Sequence, residues 1–146
     1  MTRYLFDTTP LTAYLLGRPA AVDRFQPWLE RAETATSILV YGEIVEYLAG
    51  LPRFLERQVQ LRRLLRVVTP LALNYSVLDR YALLRRELRP PHGPGIIGDI
   101  DTLIAATALV GGLTLVTTDG DFARVPGLSV LLLDRQTLVV QEVDPP

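Results

Sequence analysis

Acidic residues follow apolar segments at distant points of this sequence. Asp7 ends the apolar run 4–6, and Asp119 follows the apolar run 113–117. Asp101 opens an otherwise apolar helical segment. If these three carboxylates meet in the folded chain, they repel one another unless a cation or protons neutralise them. Because carboxylate oxygens are the ligands that hard divalent cations prefer, the pattern predicts a metal site.

Glu43 is a candidate for a fourth carboxylate in the same site. It shares the apolar helical segment 38–48 with Glu46, and residues three apart lie on one side of a helix. Because this segment is too apolar for a surface helix, we expect one of the two glutamates to face inward. Asp99 and Asp121 have simpler explanations, as a helix N-cap and as a turn residue. Taken singly, each of the other acids also has a plain structural explanation, so the prediction depends on their convergence.

Short apolar segments alternate with longer amphipathic segments along the chain, which is typical of an α/β domain. Strands are predicted at residues 3–6, 34–37, 67–69, 113–117 and 128–133. The pattern predicts a mostly parallel sheet of about five strands, flanked by helices on both faces. In such sheets, sites form beyond the carboxyl ends of the strands, where the strand order reverses. Asp7 and Asp119 are therefore expected in one cleft, which Glu43 and Asp101 can reach from helices on that side.

The helix boundaries are predicted from capping residues and from proline. Thr9 is the expected N-cap of the first helix, and Asn74 is the expected N-cap of a later one. Pro27 is expected to kink or divide the helix that begins at Pro19. The segment from Asp134 onward contains a short apolar run that fits an added edge element, but the pattern does not assign its position.

Composition limits the possible chemistry. The chain has 146 residues and is 49% hydrophobic, which predicts one domain spanning residues 1–146. It contains no cysteine, which excludes thiolate nucleophiles and Cys-ligated zinc and agrees with a cytoplasmic location. All 15 basic residues are arginine, so lysine-dependent sites such as the P-loop and the Schiff base are excluded. A single histidine, His92, excludes a two-histidine ribonuclease mechanism.

Charge and hydropathy also limit the possible partners. With a net charge of −1, no overall field favours nucleic acid, so RNA would have to bind locally. No apolar run is long enough to span a membrane without interruption, and no signal peptide is evident, so we expect no membrane contact.

Four motifs occur in an informative order. They are Asp7-Thr8-Thr9, Ser37-x-x-Val40-x-x-Glu43, Asp101-x-x-Ile104-Ala105-Ala106 and Leu115-Val116-Thr117-x-Asp119-x-Asp121-Phe122. In order and spacing, these motifs resemble the PIN-domain family, and more narrowly the VapC-type toxins of bacterial toxin–antitoxin pairs. The last two motifs are fairly specific as a pair, whereas the first is weak alone. The resemblance covers nearly the whole chain.

The resemblance implies a ribonuclease that depends on Mg²⁺ or Mn²⁺. Its catalytic carboxylates would be Asp7, Glu43, Asp101 and Asp119, and the metal ligands would be the three aspartates of that set. The fourth position is open, because Asp121 could share or replace the role of Asp119. The expected reaction is hydrolysis of RNA by a water molecule that the metal makes nucleophilic.

Other residues would support this set. Thr8, Thr9 and Thr117 match small hydroxyl positions of the family and would hold the carboxylates by hydrogen bonds. Asp99 and Glu46 are further acids that could assist from outside the metal ligands.

Two partners are expected besides RNA. The mean hydropathy is +0.23, and the helices around Phe25, Val45 and Leu65 carry more large apolar residues than one sheet is expected to cover. Leftover apolar patches usually mark interfaces, so we expect a homodimer. The resemblance adds a cognate VapB-type antitoxin, whose C-terminal segment would lie in a hydrophobic groove between the early helices. A basic side chain from it would enter the acidic pocket and displace the metal.

Two other functions fit parts of the sequence. A phosphatase could use Asp7 as its nucleophile, but such enzymes need a second aspartate where this chain has Thr9, and a lysine that this chain lacks. A catalytically inactive domain could use its acidic pocket only for binding, although every candidate position is still acidic. An RNA cleavage assay with a metal titration separates these possibilities.

Overall fold

A computed structural model describes residues 1–141 of the chain. Within that range, strands alternate with helices, and one short 3₁₀ helix, Gly120–Arg124, follows the fourth strand. The strands are β1 (Tyr4–Phe6), β2 (Thr34–Ser37), β3 (Thr69–Leu71), β4 (Thr114–Thr117) and β5 (Val130–Leu132). The helices are α1 (Thr8–Leu15), α2 (Pro19–Glu30), α3 (Ile38–Ala49), α4 (Phe54–Leu64), α5 (Tyr75–Leu88) and α6 (Asp99–Gly111).

The five strands form one parallel sheet in the order β3-β2-β1-β4-β5. At its centre, Leu5 pairs with Ala35 on one side and with Leu115 on the other. Chain order runs outward from β1 through β2 to β3, and then continues from β4 on the opposite side of β1. The strand order therefore reverses between β1 and β4, and the predicted parallel α/β sheet is confirmed.

Helices cover both faces of this sheet. The connections β1 to β2 and β2 to β3 cross the sheet in one direction, and the connection β3 to β4 crosses it in the other. Since such crossovers are right-handed, α1 to α4 lie on one face and α5 with α6 on the other. In agreement, α1 contacts α2, α3 and α4, while α5 packs against α6.

An aromatic cluster fixes α2 against the central strand. The rings of Tyr4 and Trp28 stack with their centroids 4.0 Å apart. On the same face of β1, the ring of Phe6 meets Phe25 edge-on at a centroid distance of 4.8 Å. Aromatic pairs in these geometries contribute beyond the area that they bury. The cluster therefore anchors the strand that ends at Asp7.

Several element boundaries differ from the sequence prediction, and β1, β4 and β5 are each shorter than predicted. The first helix begins at Thr8 with Asp7 in the N-cap position, so the prediction of Thr9 as N-cap is wrong. The second helix continues through Pro27 to Glu30 and is not divided. The third strand begins at Thr69 rather than at residue 67. The backbone N–H groups of residues 67 and 68 instead donate to the carbonyl of Leu64, and so close the end of α4.

The segment after β5 returns along the sheet edge. Leu133 and Val140 form an isolated antiparallel bridge, and Leu138 between them is buried. The apolar run in this segment is thus a single turn with one bridge rather than a strand. Among the described residues, no helix has the length and apolar character needed to cross a membrane.

Candidate active site

Four carboxylates line one open cavity at the carboxyl ends of β1 and β4. They are Asp7, Glu43, Asp101 and Asp119, and the cavity, here called the acidic cavity, has a volume of about 410 Å³. The remaining lining residues are Thr8, Thr9, Thr118, Gly120 and Arg135. The cavity lies where the strand order reverses, which is where sites form in open parallel sheets.

Asp7 is the most buried of the four acids, with 9% of its surface exposed. Its backbone N–H donates to the carbonyl of Val116 at 2.9 Å, so the residue is joined to β4. The Thr117 hydroxyl donates to Asp7 Oδ2 at 2.7 Å. Burial raises the pKa of the Asp7 carboxyl, hydrogen bonds from Thr117 and the Thr8 backbone oppose this, and the charges of Glu43 and Asp119 add to it.

Asp101 lies in the first turn of α6 and is half-buried. Burial raises its pKa from 3.8 to about 6, and the charges of Asp7, Asp119, Glu43 and Asp121 contribute in that order. Four other carboxylates therefore act on the same group. A cation in the cavity would remove this repulsion and favour the ionised form.

Glu43 reaches the cavity from α3. The helix begins at the N-cap Ser37, whose side chain accepts from the backbone N–H of Leu39 at 3.1 Å. Glu43 is half-buried, and the Thr8 hydroxyl donates to its Oε1 at 2.7 Å. Glu46 is exposed and is not among the cavity residues. The prediction that one of the two glutamates faces inward is confirmed.

Asp119, rather than Asp121, lies in the acidic cavity. Its backbone N–H donates to the Thr117 hydroxyl oxygen at 3.0 Å, and its Oδ1 accepts from the backbone N–H of Asp121 at 2.9 Å. Asp121 is exposed, and its Oδ1 lies 3.4 Å from the guanidinium of Arg124. Thr117 thus contacts two of the acids, since it donates to Asp7 and accepts from Asp119.

Asp99 lies outside the cavity, and its predicted role as N-cap is wrong. Gly98 occupies the N-cap position, no side chain caps the helix, and Asp99 is the first helical residue. Its exposed carboxylate forms an ion pair with Arg85 and accepts from the Tyr81 hydroxyl at 3.4 Å. Asp99 therefore links α6 to α5 instead of facing the other acids.

Thr8 and Thr117 hold carboxylates as predicted, whereas Thr9 does not. Thr9 lines the acidic cavity, but within residues 1–141 its side chain donates no hydrogen bond to a carboxylate. Arg135, Thr118 and Gly120 also line the cavity and were not identified from the sequence. Arg135 follows β5, so the rule that sites form after strand ends was the signal that could have identified it.

The donor set suits a hard divalent cation. All four acids offer oxygen, and the pKa of Asp7 and of Asp101 is raised in part by neighbouring negative charge. In the described part of the chain, however, no three of these side chains are placed to hold one ion as they stand. The charge and chemistry of the cavity fit a metal, and the side-chain positions do not yet form its ligand shell.

The chain is similar in sequence to known proteins. A family model described as the PIN domain matches residues 4–128. Ribonuclease VapC4 of Mycobacterium tuberculosis is 30% identical over 114 residues, which are 76% of this chain and 82% of that protein.

Solved structures share the fold. A structure of VapBC2 from Rickettsia felis, bound to a promoter DNA fragment, matches with a TM-score of 0.78 at 24% identity, over 91% of this chain and all of that chain. A VapBC structure from Salmonella typhimurium, also bound to DNA, matches with a TM-score of 0.76 at 20% identity, over 89% and 97% of the two chains.

Proposed function

Because the chain belongs to the PIN-domain family, we propose that it is a metal-dependent endoribonuclease and the VapC-type toxin of a toxin–antitoxin pair. The observation that carries this proposal is the acidic cavity, where Asp7, Glu43, Asp101 and Asp119 converge from distant parts of the chain. The similarity to Ribonuclease VapC4 supports the ribonuclease assignment.

Hydrolysis of RNA at this site would place a water oxygen on phosphorus while the bond from phosphorus to the 3′ oxygen breaks. The products then carry a 5′-phosphate and a 3′-hydroxyl. Divalent ions held by Asp7, Asp101 and Asp119 would supply the positive charge that lowers the pKa of water and stabilises the leaving oxygen.

The side chains around the acids orient them for this reaction. The hydrogen bond from Thr117 fixes Asp7, and the hydrogen bond from Thr8 fixes Oε1 of Glu43. In the described residues, Oε2 of Glu43 accepts no hydrogen bond, so it is available to accept one from the attacking water. Glu43 would then align this water and receive its proton.

An RNA cleavage assay with metal titration tests the proposal. Mg²⁺ or Mn²⁺ should restore cleavage to chelator-treated protein, and EDTA should abolish it. Binding of Mn²⁺, measured by calorimetry without RNA, should weaken in Asp101→Asn. Full activity in EDTA, or a 2′,3′-cyclic phosphate on the product, would contradict the proposed chemistry, because the cyclic phosphate indicates attack by the 2′-hydroxyl of the RNA.

The same assay distinguishes the two other functions. An inactive binding domain would bind RNA and metal without cleavage. A phosphatase would release inorganic phosphate from a phosphomonoester, and Asp7→Asn would prevent formation of a phosphorylated protein. The family assignment and the absence of lysine favour the ribonuclease over the phosphatase.

A VapB-type antitoxin is the proposed protein partner. A second cavity of about 340 Å³, here called the α1–α3 cavity, adjoins the acidic one and is lined by Thr8, Thr9, Thr12, Ala13, Leu16, Arg18, Tyr47 and Arg135. An antitoxin segment lying there could extend a basic side chain to Asp7, Glu43 or Asp101. Co-purification tests the pairing, and Asp101→Asn should weaken it. If Asp101→Asn binds the antitoxin with undiminished affinity, binding would depend on the α1–α3 cavity rather than on the acidic cavity.

The proposed homodimer would use apolar side chains that the helices leave exposed. Phe25 is buried, and Val45 and Leu65 pack partly against the core, so these three residues do not form that surface. Large apolar side chains of α3 and α4 are exposed at Tyr47, Leu55 and Val59, and others are exposed at Leu78, Leu83, Ile96 and Ile100. Light scattering of the purified protein measures the oligomeric state, and a monomer at micromolar concentration would contradict a stable dimer.

A further inference from the structure

Arg135 places a positive charge in the acidic cavity. In residues 1–141, it is the only cationic side chain that lines the cavity with the four carboxylates. It also lines the neighbouring α1–α3 cavity, so this residue borders both cavities. Within the same described range, no carboxylate lies within 4.0 Å of its guanidinium. Arg135 therefore borders the acids, and within the described residues its charge is paired with none of them.

The backbone at Arg135 is held by side chains on both sides of the turn. The guanidinium of Arg18 donates to the carbonyl of Arg135 at 3.4 Å and to the carbonyl of Gln136. The carboxylate of Asp134 accepts from the backbone N–H groups of Gln136 and Thr137 at 3.0 and 2.8 Å. These contacts involve the backbone of the turn, and none of them involves the guanidinium of Arg135.

This turn is also fixed relative to the acids. The backbone N–H of Leu133 donates at 2.8 Å to the carbonyl of Thr117, the residue whose hydroxyl contacts Asp7. Leu133 and Leu138 are both buried and fasten the two ends of the turn to the core. Arg135 is consequently joined to the same strand, β4, that positions Asp7 and Asp119.

An unpaired guanidinium beside a carboxylate site has a clear chemical use if the substrate is a phosphodiester. Arginine can donate two parallel hydrogen bonds to phosphate oxygens. Such donors act most strongly where negative charge develops during the reaction. We propose that Arg135 binds the phosphodiester that is cleaved and stabilises its negative charge, which makes it a substrate-contacting catalytic residue. This inference rests on the proposed ribonuclease function.

A different role for Arg135 would be an internal cation that competes with the metal. In that case, the side chain would hinder metal binding, and its removal would raise activity at limiting metal. The absence of any carboxylate partner within 4.0 Å in the described residues favours the phosphate role.

The first experiment compares wild type with Arg135→Ala and Arg135→Lys, using a long single-stranded RNA of mixed sequence in Mn²⁺. Loss of a charge-assisted contact to the reacting group should lower kcat/KM about 10- to 100-fold, mainly through kcat. Arg135→Lys should recover part of this loss, because lysine keeps the charge but not the paired donors. Unchanged kcat in Arg135→Ala would overturn the proposal.

Arg3→Ala is the matched control. Arg3 precedes β1, so it lies at the amino ends of the strands, opposite the ends that form the acidic cavity. Its side chain is 59% exposed. The change removes the same charge from the protein without touching the cavity, and kcat/KM should stay within about twofold of wild type. An equal loss in both variants would mean that overall charge matters rather than the position of Arg135, and this would also overturn the proposal.

The second experiment measures binding of the same RNA in the Asp101→Asn background, where cleavage is prevented. Adding Arg135→Ala should weaken binding and reduce the slope of log affinity against log salt by about 0.7, the value for one phosphate contact on a single strand. An unchanged slope would overturn the proposal, as would a gain in activity at limiting Mn²⁺. If wild-type protein cleaves no RNA, the proposed function fails, while this binding measurement still decides whether Arg135 contacts phosphate.

Discussion

The acids of the cavity and the acids of the surface have different partners. On the surface, Asp99 pairs with Arg85, Asp121 with Arg124, and Glu56 with Arg53. In the acidic cavity, Asp7 and Glu43 are held instead by the hydroxyl groups of threonines. The chain has 15 arginines for 16 acids, so a shortage of cations does not explain the difference.

The difference shows how a folded chain can keep negative charge in one place. A hydroxyl fixes the orientation of a carboxylate through a hydrogen bond without neutralising it, whereas a guanidinium does both. Burial, together with the charges of neighbouring carboxylates, raises the pKa of Asp101 and of Asp7. The carboxylates of the cavity are thus held in fixed orientations, but in the described part of the chain no paired cation neutralises their negative charge. A bound divalent cation would neutralise it.

The largest expected effect separates two aspartates that are two residues apart. Asp101→Asn should reduce RNA cleavage by about 1,000-fold, because it would remove a proposed metal ligand and with it several kcal/mol of charge stabilisation. Asp99→Asn, the matched control on the same helix, should change activity by less than about twofold, since its carboxylate faces Arg85. Single-turnover rates in saturating Mn²⁺ measure both. Loss in Asp99→Asn with activity retained in Asp101→Asn would reverse the assignment.

The next effect tests the hydroxyl that orients the acids. Thr117→Val keeps the shape of the buried side chain but removes its contacts with Asp7 and Asp119. Activity should fall about 10- to 100-fold, as expected for a group that orients metal ligands. Without the hydrogen bond that lowers it, the pKa of Asp7 should rise further, so the acid limb of the pH–rate profile should move to higher pH. A rate loss without any shift of that limb would indicate a purely structural role.

A smaller effect concerns stability without metal. The folded-state pKa of Asp101 is raised from 3.8 to about 6, so the folded form binds its proton more tightly than the unfolded form does. The contribution of the Asp101 carboxyl to the free energy of unfolding is present below about pH 4 and is lost as the pH rises through about 6. Asp101→Asn should therefore be more stable than wild type by about 1 kcal/mol at pH 7.5 in EDTA, after discounting for solvent screening.

Urea unfolding at pH 4 and pH 7.5 measures this difference. The gain should vanish at pH 4, where wild-type Asp101 is already protonated, and it should shrink when Mn²⁺ is added at pH 7.5 because the ion stabilises the wild type. A gain of equal size at both pH values would show that ionisation of the Asp101 carboxyl is not its cause.

The smallest effect compares two buried threonines. The Thr117 hydroxyl has carboxylate and backbone partners, whereas Thr34 on β2 is 1% exposed and its hydroxyl has no hydrogen-bond partner in the described residues. Thr34→Val should stabilise the protein by about 1 kcal/mol, since a buried unpaired polar group is removed. RNA cleavage should be unaffected. The urea midpoint should rise with an unchanged m-value, and a fall in the midpoint would contradict the assignment.

Sequence reasoning found the convergence of the acids because the rule behind it is local. An aspartate that follows a strand in a parallel sheet must lie on the side of the sheet where the strands have their carboxyl ends. This rule places Asp7 and Asp119 on the same side without any knowledge of strand order.

Two of the errors arise from tertiary contacts and one from local hydrogen bonds at a helix end. The N-cap position falls on Asp7 rather than on Thr9 because Asp7 keeps an extended backbone where it pairs with β4. The backbone N–H groups of residues 67 and 68 donate to the carbonyl of Leu64 at the end of α4, so β3 begins later than predicted. Arg135 reaches the cavity only through a turn that Arg18, distant in sequence, holds in place. None of these contacts leaves a periodic signal in the sequence.

The hydrogen bond between Thr117 and Asp7 joins residues 110 positions apart. During synthesis, the first candidate ligand therefore leaves the ribosome long before the strand that orients it exists. A fragment that stops before β4 lacks Thr117 and Asp119. It also lacks β4 itself, the strand that pairs with one side of β1. Closure of such distant pairs is a late event in folding. The four-acid site is thus incomplete for most of the chain's translation, and chains that terminate before β4 cannot assemble it.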